Sequence, residues 1–458
     1  MPDPLDELFS ARQLKRDTDT LQQWGRDWTR SYTVAPAAVV FVESVEDVVK
    51  LVRAANVHGF KLVPSGGRTG LSGGAVAGNG EVVVSFDRMN SIIDFDPADR
   101  LVTCQAGVVT QTLQEFAEDK GLSYPVDFAS AGSSQLGGNI ATNAGGIKVI
   151  RHGLTRDWVA GLTVVTGGGD VLRLNHGLVK NATGYDLRHL FIGSEGTLGF
   201  IVEAQMRLDA APDPQQVMVL GVPEFADILE VLRVFQQSVT LSAFEFFSEQ
   251  ALQKVLAHRE LQRPLSQPVA FYTLLEFDAA ALDAASAAFE SAVAAGWVVD
   301  GVLSQSEAQA AALWQLREGI SESIAPFTPY KNDLSVRISD MPEFIDAVDG
   351  LVRESYPDFE VCWYGHIGDG NLHLNILRPD SLSAEEFYQR CHQISPRLFT
   401  EVAHRQGSIS AEHGVGLLKR DFLGFSRSDE EISIMRGLKQ LLDPNQLMNP
   451  GKLLTEQS

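Results

Sequence analysis

From residue 64 to residue 74 the chain reads Pro-Ser-Gly-Gly-Arg-Thr-Gly-Leu-Ser-Gly-Gly, five glycines in eleven residues. Such a run is either a flexible linker or a tight loop that closes on an anion. Glycine serves the loop by adopting positive φ and by letting backbone N–H groups approach a ligand. The flanks favour the loop, since Phe60–Val63 and Glu81–Phe86 both read as strands. Two more runs of this kind follow. Pro125–Gly146 contains Ser-Ser-Gln-Leu-Gly-Gly-Asn-Ile-Ala-Thr-Asn-Ala-Gly-Gly from Ser133 onward, and Gly193–Gly199 leads into a strand at Phe200–Leu208. Three such loops between residues 64 and 199 point to one extended ligand held at several places. The usual nucleotide turns are not what holds it. No Gly-x-Gly-x-x-Gly occurs, and the Gly451-Lys452 pair is followed by Leu, so neither a Rossmann turn nor a Walker A loop is written here.

The 458 residues exceed what one core supports, so two or three domains are expected. Lys and Arg number 37 against 59 Asp and Glu, a net charge of −22. That field repels nucleic acid, and an anionic small substrate needs a local cationic pocket. No apolar run is long enough for a transmembrane helix. Met1–Leu8 does not resemble a secretory signal, so a cytoplasmic protein is expected. Cys104, Cys362 and Cys391 are far apart and read as buried, inert thiols rather than a disulfide framework. Oligomeric state is not written in the chain; a homodimer is left open.

Local patterns divide the chain into residues 1–210, 211–406 and 407–458. In the first part Ser44 can cap a helix with Val45, Val48, Val49, Val52 and Ala55 on its apolar face. Ser91–Asp96 and Leu101–Ala106 pair through a turn, and Thr110–Lys120 is a helix ended by Gly121. In the second part, strands at 216–222, 243–247, 269–277, 297–303, 331–338, 360–367 and 372–377 alternate with helices at 225–237, 279–294, 306–324, 342–354 and 383–406. The fold class is therefore α+β, with an antiparallel sheet in the second domain. The last part combines loops with a helix at 432–442.

The chemistry gathers in Tyr364–Asn375, Tyr-Gly-His-Ile-Gly-Asp-Gly-Asn-Leu-His-Leu-Asn. If two strands meet across residues 368–371, Ile367 pairs with Leu372 and His366 with His373. Imidazoles so opposed can share a metal ion, or be two ordinary histidines of a surface hairpin. Glu412-His413 joins them as a candidate. Adjacent residues point in different directions, so Glu412 can complete a His, His, Glu ligand set while His413 serves as a base. Taken alone, Glu412-His413 is more often a polar helix start. Arg317 and Ser321 share one face of the helix expected at 306–324, and Lys331 follows on the next strand. These cations are either solvated surface charges or a carboxylate grip.

Pro64–Gly74, Pro125–Gly146 and Gly193–Ile201 together resemble the FAD-binding domain of the vanillyl-alcohol oxidase type, over about residues 35 to 210. That resemblance implies a two-part FAD-binding domain, with the pyrophosphate cradled by Ser65, Gly66, Gly67, Arg68 and Thr69. It also places Pro64, Gly70, Ser72, Gly73, Gly138, Asn143, Gly146, Glu195 and Gly196 among the cofactor-binding residues. Pro125, Ser133, Gly137, Asn139, Thr142, Gly145 and Ile201 would line the isoalloxazine or adenine ends, with Asn449 near the cofactor. Some relatives attach FAD through a histidine in the first loop; Arg68 stands in that region here, which implies non-covalent FAD.

Gly365–Asn375 and Ser410–Gly414 resemble the signatures of FAD-linked D-2-hydroxy-acid dehydrogenases, a group that includes lactate, glycolate and 2-hydroxyglutarate enzymes. The resemblance implies a divalent metal, zinc by preference, on His366, His373 and Glu412. It makes His413 the base and Asn375 a substrate contact. The 211–406 part becomes a substrate (cap) domain, and the tail packs back on the FAD domain. Around Arg317, Ser321 and Lys331 the sequence resembles the D-2-hydroxyglutarate branch, where the matching residues grip a distal carboxylate. D-lactate, glycolate and D-malate are the alternative substrates, and a flavin subunit serving electron transfer or assembly is the alternative class. The implied electron acceptor is an electron-transfer flavoprotein or a quinone.

Overall fold

Ser44 starts the first long helix, Val45–His58 (α1): its Oγ accepts the N–H of Asp47 at 3.2 Å, and Gly59 ends the helix at φ 78°. In the computed structural model, which describes residues 3–29 and 32–455, α1 connects strands Ala38–Phe41 (β1) and Leu62–Ser65 (β2). Both pair in parallel with Val82–Ser85 (β3). Leu14–Lys15 adds an antiparallel edge, giving the order Leu14–Lys15, β1, β3, β2. The inner strands β1 and β3 are buried along their whole length, as continuous apolar strands of a parallel sheet must be. Val48, Leu51, Val52 and Ala55 of α1 pack into the core beside them.

A second sheet is antiparallel, built from Ile92–Asp96 (β4), Leu101–Gln105 (β5), Val159–Thr166 (β6), Val171–Leu174 (β7) and Gly199–Arg207 (β8). Its order is β4-β5-β8-β6-β7. Asp96 Oδ1 closes the β4–β5 turn by accepting from Ala98 N and Asp99 N at 2.8 and 3.1 Å. Ile140, from the short helix Leu136–Thr142 (α2), joins Val102, Leu113 and Val164 in the core of this sheet.

The chain divides into two units. The first runs to Gly146, continues over Leu154–Ala211 and resumes at Glu412; the second holds Ile147–Gly153 and Pro212–Ala411. Residues 147–153 belong to the second unit through Arg151, whose Nη1 donates to Asp278 Oδ1 at 2.7 Å and Ser242 Oγ at 2.9 Å, and through Lys148, paired with Glu276. The return to the first unit falls at Glu412 rather than at residue 407. Ser408 exchanges backbone hydrogen bonds with Ser335 at 2.9 and 2.7 Å, which keeps the intervening segment with the second unit.

The second unit carries a seven-stranded antiparallel sheet: Gln215–Val222 (β9), Leu241–Ser248 (β10), Phe271–Asp278 (β11), Asp300–Leu303 (β12), Tyr330–Ser335 (β13), Glu360–His366 (β14) and Asn371–Leu377 (β15). The order is β12-β9-β11-β10-β14-β15-β13. Strand alternation on β10 puts Phe244 and Phe246 on one face and Glu245 and Phe247 on the other. Phe225, from helix Phe225–Ser238 (α3), meets Phe246 edge-on at 5.2 Å, and Phe247 stacks on Tyr272 at 5.3 Å. The helix expected at 306–324 is interrupted. Glu307–Glu318 (α4) and Ile320–Ser323 (α5) are separate, and at Gly319 between them a Cβ would stand 2.7 Å from Gln315 O.

Among the described residues no helix is long and apolar enough to cross a membrane. The three cysteines are buried and free, and burial pushes each thiol up to about 12.

Candidate active site

An open cleft lies in the first unit. Pro64, Gly66, Gly67, Arg68, Thr69, Gly70 and Ser72 line it from the first glycine loop. Gly137, Gly138, Asn139 and Thr142 come from α2, Glu195 and Gly196 from the third loop, and Ile201 from β8; His413 lines the same cleft. The loops approach one another more closely than side chains permit: a Cβ on Gly67 would stand 2.1 Å from Ser133 O. At Gly138, by contrast, a Cβ would meet nothing within 4 Å, so the floor there is open to a ligand. The Arg68 side chain folds back on its own loop. Its Nη1 donates to Gly66 O at 2.7 Å, lies 3.4 Å from Asp87 Oδ1, and its guanidinium sits 5.1 Å over Trp24.

Asp27, Phe86, Ala106 and Gln135 also line the cleft, and sequence reasoning did not single them out. Gln135 lay inside the second run without a motif to mark it, and Asp27 precedes the pattern altogether. Gln135 Nε2 donates to Asp87 Oδ1 at 2.8 Å, while its buried Oε1 has no hydrogen-bond partner. Burial raises the Asp27 carboxyl above its ordinary range.

Other expected cofactor residues stand behind the lining. Ser65 Oγ donates to Trp24 O at 3.3 Å, and Asn143, at φ 51°, ends α2 and accepts from Arg156 N at 3.0 Å. Asn449 Nδ2 ties Gly74 O and Glu195 O together at 2.9 and 2.6 Å. Gly73, Pro125, Ser133, Gly145 and Gly146 are likewise not part of the lining. Gly145 and Gly146 instead receive Glu412: Gly146 N donates to its Oε1 at 3.0 Å, and a Cβ on Gly145 would stand 2.7 Å from that oxygen.

The loop that carries Glu412 and His413 is clamped from two sides. Ser72 Oγ donates to His413 O at 2.6 Å. The buried Glu195 accepts Val415 N on Oε1 and Gly416 N on Oε2, at 2.7 and 2.8 Å. Gly416 is obligatory there, at φ 52° and with Ser72 O 2.1 Å from any added Cβ. Burial raises the Glu195 carboxyl, and the two N–H groups act against that shift.

In the second unit the hairpin has a different register from the one expected. The turn is Ile367–Gly370, with Gly370 at φ 87°; His366 faces Asn371 and Tyr364 faces His373. Gly365 forces this approach, since a Cβ there would stand 2.3 Å from Asn371 O. The shift is by two residues, so both histidines keep the same face as diagonal neighbours. Their rings are 5.2 Å apart, edge to face. Glu245 Oε1 accepts from His366 Nδ1 at 2.8 Å, while Asp333 Oδ1 lies 3.7 Å from His373 Nδ1, beyond hydrogen-bond distance. A carboxylate hydrogen-bonded to Nδ1 orients a histidine whose Nε2 coordinates a metal.

Arg317, Ser321, Lys331 and Asn375 gather around Tyr364. The buried Arg317 guanidinium lies 4.7 Å over the Tyr364 ring, and Ser321 and Asn375 lie beside the Tyr364 side chain. The break at Gly319 therefore does not separate Arg317 from Ser321. Lys331 faces Asn375 across the β13–β15 pair, and its Nζ donates to Ser321 Oγ at 2.9 Å. Burial lowers the Lys331 pKa. Arg317 Nη2 stands 2.8 Å from Glu245 Oε2, yet neither it nor Nε has a partner with hydrogen-bond geometry.

Residues 36–175 match the family described as FAD binding domain, and residues 211–453 match FAD linked oxidases, C-terminal domain. Matches and glycine cleft together define the class: an FAD-linked oxidase. The D-2-hydroxyglutarate dehydrogenase of Stutzerimonas stutzeri (strain A1501) is 57% identical over 454 residues, 98% of this chain and 98% of that protein. The protein of the same name from Xanthomonas citri pv. viticola is 53% identical over 460 residues, 99% of this chain and 97% of that one. The mitochondrial one from Bos taurus is 36% identical, covering 96% and 80%. The chain belongs to the family of FAD-linked D-2-hydroxy-acid dehydrogenases. Solved structures of 4-ethylphenol oxidase from Gulosibacter chungangensis (TM-score 0.75, 18% identity, covering 99% of this chain and 96% of that one) and p-cresol methylhydroxylase (0.74, 16%, 98% and 95%) share its fold. The architecture is thus α+β, of the vanillyl-alcohol oxidase type.

Proposed function

We propose that this protein oxidises D-2-hydroxyglutarate to 2-oxoglutarate. The observation that carries the substrate is the cation pair around Tyr364. Lys331 is half-buried beside Ser321, and Arg317 is buried, its Nη2 2.8 Å from Glu245 Oε2 and its Nε without a hydrogen-bond partner. A five-carbon diacid brings a second carboxylate to such a grip, whereas lactate and glycolate have none to offer. The names of the 57% and 53% identical relatives support the same substrate.

FAD suits the cleft: the glycine loops present backbone donors, Gly138 leaves the floor open and Gln135 Oε1 awaits a donor. For the metal, the chemistry of His366, His373 and Glu412 suits a divalent ion, zinc by preference, and the carboxylate hydrogen-bonded to His366 Nδ1 supports that reading. When bound, FAD in the cleft supplies the hydride acceptor and the divalent ion supplies Lewis-acid polarisation of the substrate hydroxyl. In the proposed reaction His413 takes the 2-hydroxyl proton, and the C2 hydrogen leaves as hydride. Arg317 and Lys331 hold the distal carboxylate, with Ser321 orienting the Lys331 ammonium. Asn375 hydrogen-bonds the substrate near the reacting carbon. Turnover closes with electrons passing to an electron-transfer flavoprotein or a quinone. The free, buried cysteines suit a cytoplasmic setting.

Anaerobic mixing with a panel of 2-hydroxy acids tests the reading. D-2-hydroxyglutarate should bleach the flavin at low concentration, and D-lactate and glycolate should not. Preferential bleaching by D-lactate would overturn the substrate assignment.

A further inference from the structure

Glu245 is 1% exposed and sits mid-strand on β10, directly opposite His366 in the β10–β14 register. Its two oxygens serve different groups. Oε1 accepts from His366 Nδ1 at 2.8 Å, and Oε2 stands 2.8 Å from Arg317 Nη2 without hydrogen-bond alignment. A buried carboxylate is costly unless its oxygens meet partners, and here each oxygen has one neighbour of its own. We infer that Glu245 is a positioning residue that couples the metal site to the substrate grip. One oxygen fixes the His366 tautomer so that Nε2 faces the ion; the other parks the Arg317 guanidinium while leaving its Nε edge for a substrate carboxylate. His373 also has a carboxylate near it. Asp333 stands 3.7 Å from its Nδ1 and accepts from Asn371 Nδ2 at 2.9 Å. This inference rests on the proposed metal and substrate reading.

The test uses the full-length FAD-loaded protein, stripped of metal and titrated with Zn2+, with the ion read by competition against a chromophoric chelator. Glu245→Gln should weaken Zn2+ binding about 10–100-fold, the range for loss of a partner that orients a ligand. Arg317→Gln should leave Zn2+ affinity within about threefold. In the double variant Glu245→Gln/Arg317→Gln, no buried charge is left uncompensated, so a folding defect caused by the unpaired cation is relieved. If Glu245 orients His366, the double variant still binds Zn2+ weakly. Restoration of affinity there would overturn the inference, because Glu245 would then only neutralise Arg317. Unchanged affinity in Glu245→Gln would overturn it as well. His366→Ala keeps the two readings apart: if wild type binds no Zn2+, or His366→Ala binds it equally well, the metal assignment itself is wrong.

Discussion

Glu195 accepts the backbone N–H of Val415 at 2.7 Å, and its second oxygen takes the next N–H along. Expected from sequence as a cofactor residue, this carboxylate also shapes the turn that follows His413. Gln or Ala at position 195 should free that turn. Leaving buried N–H groups unmet costs about 1–3 kcal/mol each, so Glu195→Ala should lower the stability of the first unit by roughly 2–6 kcal/mol. Hydrogen exchange at the Val415 and Gly416 amides should rise well above that of β8. Unchanged protection at those amides would show that the clamp is not what orders the turn.

His413 and His373 should separate chemistry from binding. With His413 as base, His413→Ala should retain flavin and metal but reduce the flavin about 10²–10⁴-fold more slowly. His373→Ala should lose metal instead. Elemental analysis alongside stopped-flow reduction distinguishes the two, and normal metal content with normal turnover in His373→Ala would count against the ligand set.

Lys331 gives the site a pH dependence of definite sign. Burial lowers its pKa below the ordinary 10.5. Between the native and unfolded values the unfolded chain holds more protons at this residue, so this residue's contribution to stability rises with pH across that window and is lost as pH falls through the native value. Substrate binding runs the other way, since a distal carboxylate needs the ammonium. KM for D-2-hydroxyglutarate should climb at alkaline pH, from a point below the pKa of a free lysine. Lys331→Ala should abolish that limb and raise KM about 10–100-fold, the worth of a charge-assisted hydrogen bond, with little effect on D-lactate. Equal effects on both substrates would remove Lys331 from the grip.

Two glycines of the cleft should fail in different ways. Gly67→Ala forces a methyl against Ser133 O, so the first and second loops must part, and both FAD retention and stability should fall. Gly138→Ala meets no protein atom within 4 Å, so stability should hold while FAD affinity drops. Thermal unfolding with and without added FAD reads both.

The glycine loops and the strands beside them were legible because glycine runs, apolar alternation and caps such as Ser44 are local signals. The hairpin was legible in its residues but not in its register. The two-residue shift depends on Gly365 lying against the Asn371 carbonyl, which composition does not announce. Face was nonetheless preserved, because a strand repeats every two residues. The helix break at Gly319 is invisible to periodicity, which continues through it. Glu245 could not be found at all: it reaches His366 only across the sheet, 121 residues away along the chain. Asp27 and Gln135 carry no motif and become part of the cleft only when the loops close on one another.

The central claim is that the Arg317 and Lys331 grip selects a dicarboxylic D-2-hydroxy acid for flavin reduction. Anaerobic stopped-flow at the flavin absorbance band, comparing D-2-hydroxyglutarate with D-lactate in wild type and Lys331→Ala, measures it directly. The account predicts rapid bleaching by D-2-hydroxyglutarate alone in wild type, and loss of that preference in the variant. Equal bleaching by both acids in wild type, or a preference that survives Lys331→Ala undiminished, would contradict it.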